Sequence, residues 1–347
     1  MSTLPSLPRS QLTAQRGGFI GVCLAFVALA GVSASVAWWW IDQPMALPQG
    51  AASVDLRIEP KSSARSIANA VAASGVQVNA DLLFLYFRLS GDAKTLKAGS
   101  YEIAAGTSPR NLADKLTRGE QALVSVTIVE GWTFRQIRQM LEATPQLKAT
   151  SRGLSEPELM GLLGKPGLAA EGRFFPDTYS VAKGGSDMEV LKSALRAMDK
   201  QLQAAWEARN PNIPLKSPEE ALTLASIVEK ETGKASDRTT ISGVFNNRLR
   251  IGMRLQTDPT VIYGMGQSFD GNIRKRDLQT DTPWNTYTRN GLPPTPIAMP
   301  GKAALLAAVQ PEDTKALYFV ARGDGSSQFS ASLDEHNRAV NKYIRGQ

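Results

Sequence analysis

Between Phe19 and Ile41 the chain runs for 23 residues without a charge. As a helix such a run is about 34 Å long, enough to cross the hydrocarbon of a bilayer. Trp38, Trp39 and Trp40 close it, at the level where indole rings favour the membrane–water interface. Arg9 and Arg16 precede the run and the first charge after it is Asp42. The positive-inside rule then leaves residues 1–18 as a cytoplasmic tail, makes 19–41 a single-pass inner-membrane anchor and exports the rest to the periplasm. A cleaved signal peptide fits less well, because the run is long and ends in bulky rings instead of small residues. A lipoprotein fits less well again, since Cys23 follows Val22 and opens the run instead of closing it. Residues 42–53, with Pro44 and Pro48, read as a linker off the membrane.

Cys23 is the only cysteine and His336 the only histidine, which excludes an internal disulfide, a cysteine zinc site and a multi-histidine metal centre. No cofactor motif is visible. The net charge of +7 and pI of about 9.5 favour an anionic neighbour, whether nucleic acid, a membrane surface or an acidic wall polymer. The basic residues are dispersed and carry no nucleic-acid motif, so nucleic acid is the weakest of the three.

Beyond the linker one pattern occurs three times, at Arg57–Val71, Glu102–Leu116 and Thr127–Leu141. Ile58, Ile103 and Ile128 align near a strand end, and Ser63, Ser108 and Thr133 align as N-caps. Arg65, Arg110 and Arg135 fall in the first helical turn. Ile67, Leu112 and Ile137 face inward, followed one turn later by Val71, Leu116 and Leu141. Each copy predicts a strand, a tight turn and an amphipathic helix, and the uneven spacing excludes a solenoid. The pattern resembles the strand-turn-helix of LysM modules, which bind N-acetylglucosamine-containing glycans. A spacer between membrane and catalytic part fits the pattern equally well. Further helices are expected at 81–89, 154–163 and 187–202.

The central element is Ser217–Gly233, with Ser217 as N-cap, Pro218 at the first helical position, Glu220 as a capping-box partner and Gly233 as the terminating residue. Leu224, Ile227 and Val228 share a face with Ala221 and Ala225, and Glu231 falls in that apolar stripe. Glu229 points roughly 160° away from it. An inward carboxylate must be paired, hydrogen-bonded or kept protonated by desolvation, and the last describes a general acid. A structural glutamate bonded to an amide or an arginine satisfies the same position.

A second helix is expected from Ser236, with Ile241, Val244, Phe245 and Leu249 on one face and Gly252 at its end. Two loop-like segments follow, Met253–Gly266 and Pro283–Gly301. Gln256, Asp258, Asn285 and Tyr287 supply amide, carboxylate and hydroxyl groups suited to sugar hydroxyls and acetamides, or to bracing the loops. A hairpin is expected from Ala316–Ala321 and Gln328–Ser330, then a last helix Leu333–Ile344 carrying His336.

EGRFFPDTY at Glu171–Tyr179, ASIVEKET at Ala225–Thr232 and NRLRIGMRLQTDPTVIYG at Asn247–Gly264 resemble the YceG-like family of membrane-anchored endolytic murein transglycosylases. NTY at 285–287, GLPP at 291–294 and HN at 336–337 add to the resemblance, which spans essentially the whole chain. Two departures stand out: Trp284 where the family usually has Tyr, and Thr295 where Gly usually follows GLPP.

Taken together, these readings predict an α+β fold: the transmembrane helix, a LysM-like domain over 54–145 and, partly by analogy, a mainly helical, lysozyme-like catalytic domain with a small sheet over 146–347. The resemblance makes the second Glu of EKET, Glu231, catalytic; Glu229, Gln256, Asp258, Asn285 and Tyr287 are the candidate substrate contacts from their own side-chain chemistry. It implies cleavage of nascent peptidoglycan strands between N-acetylmuramic acid and N-acetylglucosamine without water, leaving 1,6-anhydro ends, with no cofactor or metal. Peptidoglycan synthases are the expected neighbours. The alternative is a membrane-anchored peptidoglycan-binding protein without catalysis.

Overall fold

The computed structural model describes residues 14–231 and 234–346, so most of the expected cytoplasmic tail and the expected Gly233 helix stop lie outside the described residues. The described residues form two compact units, 14–123 and 124–346. Helices dominate, and three two-stranded sheets pair β1 with β2, β3 with β4 and β5 with β6.

The first unit begins with helix α1 (Ala14–Asp42), whose stretch Leu24–Asp42 has a mean hydropathy of 1.8 and is almost wholly unburied. That is long and apolar enough to cross a membrane. Strand β1 (Ser53–Ile58), helices α2 (Ala64–Ala73) and α3 (Ala80–Leu89), strand β2 (Gly99–Ala104) and helix α4 (Pro109–Arg118) follow. β1 and β2 pair antiparallel with Leu56 opposite Tyr101, and both side chains are buried with Ile67, Val71, Leu112 and Leu116. The side chains of Ser63 and Ser108 accept the N–H groups of Ser66 and Asn111 at 3.1 and 3.2 Å, capping α2 and α4 as expected. The stretch expected as a linker is tied down. Met45 is buried in the same core, its N–H donates to the Thr107 carbonyl at 2.9 Å, and Ala46 bridges Gln77. An apolar methionine gains more from that core than from solvent.

The third copy of the repeat does not join the first two. Strand β3 (Leu123–Thr127) pairs with β4 (Thr178–Ala182). Helix α5 (Phe134–Glu142) buries Phe134, Ile137 and Leu141 with Phe174, Val190, Leu191 and Met299, in the second unit. A domain ending at residue 145 would cut through this cluster.

Helices α6 (Glu156–Leu162), α7 (Asp187–Glu207), α8 (Pro218–Glu231) and α9 (Arg238–Arg250) complete the frame. α8 lies at its centre. The Ser217 hydroxyl accepts the Glu220 N–H at 3.2 Å, while the Glu220 carboxylate reaches past the cap to the Lys216 N–H at 2.6 Å. Every residue from Ala221 to Val228 is buried, so α8 is enclosed on all sides and not on one stripe. Helices α7 and α9 and the later helix α12 (Lys302–Val309) pack around it. The two loop-like segments are more ordered than their composition suggested, because Asp258–Met265 forms a helix (α10) with Pro259 in its first turn and Lys275–Gln279 forms a short one (α11). The late hairpin pairs β5 (Tyr318–Ala321) with β6 (Ser327–Ser330), and helix α13 (Leu333–Val340) continues as a wider π turn through Arg345.

Candidate active site

The last turn of α8 holds the two glutamates that the sequence singles out, and their surroundings differ. Glu229 is partly buried, and its carboxylate accepts the Gly301 N–H at 2.9 Å, at the N-cap of α12. Burial raises its pKa, the bond to Gly301 opposes that, and the neighbouring charge of Glu130 adds to it. Glu231 keeps some surface open to solvent, yet its carboxyl group is desolvated, which raises its pKa above the ordinary carboxylate value. The Thr257 hydroxyl donates to Oε1 of Glu231 and opposes the shift, Asp258 raises it further, and Arg248 lowers it.

Thr257 is placed by a set of buried threonines. Its N–H donates to the Thr286 hydroxyl at 3.1 Å, and the hydroxyls of Thr260 and Thr286 lie 2.9 Å apart. The Gln256 N–H donates to the Thr286 carbonyl at 3.2 Å. Gln256 adopts a left-handed φ of 48°, rare outside glycine, and this turns its side chain to the exposed surface while Thr257 points inward. Asp258 is exposed and accepts the Tyr287 hydroxyl at 2.5 Å. Burial and that carboxylate together raise the Tyr287 pKa.

Asn285 is spent inside the loop. Its amide nitrogen reaches the carbonyls of Asp277, Leu278 and Thr280 at 3.3, 3.1 and 2.7 Å, and its oxygen accepts the Tyr287 N–H at 2.8 Å. Its side chain is buried, so of the two uses open to it, bracing is the one its bonds describe. Asp258 and Tyr287 thus stand beside Glu231, with Asn285 bracing the Tyr287 backbone and Gln256 exposed next in the chain to Thr257.

Three groups that the sequence did not single out, and then one of the two departures from the family pattern, complete the arrangement. Arg248 is buried, and its guanidinium donates to the carbonyls of Leu317 and Leu255 at 2.7 and 2.6 Å. It lies over the Tyr318 ring at 5.3 Å, and Tyr318 stacks on His336 at 5.2 Å, so the lone histidine forms a third layer behind Arg248. The turn Glu130–Trp132 is the second. The Gly131 N–H donates to the Met299 carbonyl at 2.8 Å and the Met299 N–H donates to the Trp132 carbonyl at 2.7 Å. This fixes the segment Pro296–Gly301 against the end of α8, where the Ser226 hydroxyl also accepts the Ile297 N–H at 3.0 Å. Glu171 is the third: it is buried, both its oxygens accept the Phe134 N–H at 3.0 and 3.2 Å, and burial pushes its pKa up to about 7. The fourth is Thr295. The Trp284 indole N–H donates to its hydroxyl at 2.9 Å while the Trp284 ring meets Tyr263 edge-on at 5.5 Å. The two departures from the family pattern are therefore bonded to each other. Arg248 and Glu171 lie in quoted motifs, but a buried cation without a nearby carboxylate in sequence gives no signal of its partners.

The pattern of the YceG-like family matches residues 56–342. The endolytic murein transglycosylase of Bacillus subtilis (strain 168) is 32% identical over 311 residues, 84% of this chain and 85% of that protein. The endolytic murein transglycosylase of Streptococcus pneumoniae serotype 2 (strain D39) is 28% identical over 366 residues, 95% of this chain and 66% of that protein. A crystal structure of a yceG-like protein from Listeria monocytogenes superposes with a TM-score of 0.55 at 30% identity, covering 83% of this chain and 98% of that one.

Proposed function

The chain belongs to the YceG-like family, and from that premise we propose that it is an endolytic murein transglycosylase acting on peptidoglycan. The observation that carries the reading is the environment of Glu231: a desolvated carboxyl group, held on one oxygen by Thr257, at the end of a buried helix and beside Asp258 and Tyr287.

Such a group suits cleavage of the β-1,4 bond between N-acetylmuramic acid and N-acetylglucosamine without water. Glu231 starts protonated and donates to the leaving glycosidic oxygen. The resulting carboxylate then takes the proton of the muramyl C6 hydroxyl as that oxygen attacks the anomeric carbon, closing the 1,6-anhydro ring. Atoms balance without an added reactant. Most glycosidases need a second carboxylate as base or nucleophile, and here the substrate carries its own nucleophile. Glu229, whose carboxylate is bonded to Gly301, supports the segment facing the sugar and is not the acid. Gln256 and the Asp258–Tyr287 pair carry groups suited to sugar hydroxyls, and a bonded Asp258 supports a role for its negative charge near the cationic transition state. No cofactor enters the scheme.

In the first unit the order β1-α2-α3-β2 with antiparallel pairing supports the LysM-like reading and hence glycan binding. A lysozyme-like second unit is supported by the central α8 with a carboxylate at its end. An uncleaved anchor in the inner membrane, with both units in the periplasm, is supported by Trp40 and Ile41, which pack into the first unit's core and would be lost on cleavage. Held there, the enzyme meets nascent strands at raised local concentration, beside the synthases that make them.

The test is to incubate the protein with purified glycan strands and search by mass spectrometry for anhydro-muramyl ends, with Glu231→Gln as the companion. Ordinary reducing ends, or anhydro ends made equally well by Glu231→Gln, would overturn the assignment. Binding without any cleavage would leave the anchored glycan-binding alternative.

A further inference from the structure

Helix α3 is apolar on two sides. Leu83 and Phe87 are wholly buried in the first unit, while Leu82, Leu85 and Leu89 are 49%, 48% and 77% exposed. At about 100° per residue these three fall within an arc of roughly 60°. Beyond α1, no other described helix carries such a row: Leu333 and Ile344, the two large exposed hydrophobics of α13 and its π turn, lie at opposite ends of it. Single exposed leucines are ordinary, whereas a row along one helix asks for a cover.

The row belongs to the same unit that α1 enters. Tyr86, next to Leu82 and Leu89 around the helix, packs against the same core as Trp40 in the last turn of α1. Asp42 is the last residue of α1; Arg110 pairs with it at 2.6 Å and lies over the Trp38 ring at 5.0 Å. There is no slack in this join, since Trp40 packs on the same core as Tyr86 and Met45 is already inside it. The end of α1 and helix α3 are therefore parts of one packed unit.

We propose that Leu82, Leu85 and Leu89 form a second membrane contact, resting in the boundary between headgroups and acyl chains of the leaflet from which α1 emerges. The lipid surface is the occupant that the join selects, because α1 and α3 are fixed in one unit. A helix lying in the interface buries its apolar side only about 5–10 Å deep, which three leucines on one short helix can supply. Arg88 in the last turn of α3 is exposed and suits anionic headgroups. Two points of contact set the tilt of the first unit on the membrane, where a lone spanning helix leaves it free to swing. The inference rests on reading α1 as an uncleaved anchor.

The test uses the full chain carrying Cys23→Ser, so that a nitroxide can be attached at one chosen position. One sample carries Leu85→Cys, a second Leu29→Cys within α1, each reconstituted in vesicles of phosphatidylethanolamine and phosphatidylglycerol. Collisions with oxygen, which concentrates in lipid, are compared with collisions with a water-soluble nickel chelate. The expected result is an oxygen-to-nickel ratio several-fold higher at both positions than for the free label in buffer. A lipid ratio at position 29 with a water-like ratio at 85 sinks the proposal and spares the anchor. Low collision with both reagents at 85 means that protein covers the row, which also overturns it. A water-like ratio at 29 removes the anchor and the proposal together.

Discussion

Ser108–Leu116 and Thr133–Leu141 are nearly the same piece of structure put to different uses. In each, a hydroxyl caps the helix by accepting the N–H three residues on, at 3.2 and 3.4 Å, and an aliphatic pair one turn apart is buried. The turn before α4 holds Gly106, around which a Cβ would meet nothing. The turn before α5 is bonded in both directions to Met299, and Gly131 lies against Lys230 and Glu229. The same local code thus yields a plain structural corner in the first unit and a wall of the candidate site in the second. What differs is only what each corner packs against.

The sharpest break of this comparison is at Glu231. Glu231→Gln should lower turnover by about 10²–10⁴-fold, the usual worth of a positioned general acid, with little change in melting. Glu59→Gln, an exposed change in the first unit, should leave turnover alone. Because Glu231 must be protonated to act and its pKa is raised by burial, activity should fall as pH rises through that pKa. A rate that climbs over the same range would show a different acid.

Glu171 comes next. Its folded pKa of about 7 lies above the ordinary glutamate value of 4.5, so the folded protein holds this proton more tightly than the unfolded chain does. The stabilisation is fully present below the unfolded value and is lost as pH rises through about 7. Urea unfolding of the wild type should lose about 3 kcal/mol through this group over that window. Glu171→Gln, which still accepts the Phe134 N–H, should flatten that part of the curve, and parallel curves would reject the assignment.

Glycine substitutions make a smaller contrast. Gly172 has φ of 79° and a Cβ there would overlap the Pro296 ring, so Gly172→Ala should destabilise by about 2–3 kcal/mol. Gly106→Ala meets only the backbone penalty at φ of 87°, about 1 kcal/mol. Equal losses in urea would mean that the Pro296 segment yields. The smallest effects are at the caps. Ser63→Ala, Ser108→Ala and Thr133→Ala should each destabilise by about 1 kcal/mol, but only Thr133→Ala should lower turnover, since only its turn is bonded to the site. Three variants with unchanged turnover would erase the distinction between the corners.

The sequence by itself determined the local elements. Ser63, Ser108, Thr133 and Ser217 cap helices because a short hydroxyl side chain can reach an N–H two or three residues ahead, whatever surrounds it. The long apolar run shows for the same reason, as do the placement of Glu231 at the end of α8 and the late hairpin. Tertiary structure decided the rest. A periodic stripe cannot tell a helix covered on one face from α8, which is enclosed on every side. The third repeat parts from the first two because Ile137 and Leu141 find Phe174 and Met299, contacts that no spacing within the repeat encodes. Thr257, Arg248 and Glu171 acquire their roles the same way, and Asn285 turns inward because loop carbonyls converge on it. Caps and spans are short-range physics, written in neighbouring residues. Desolvation of a carboxyl group and the pairing of distant turns depend on what the folded chain brings beside them.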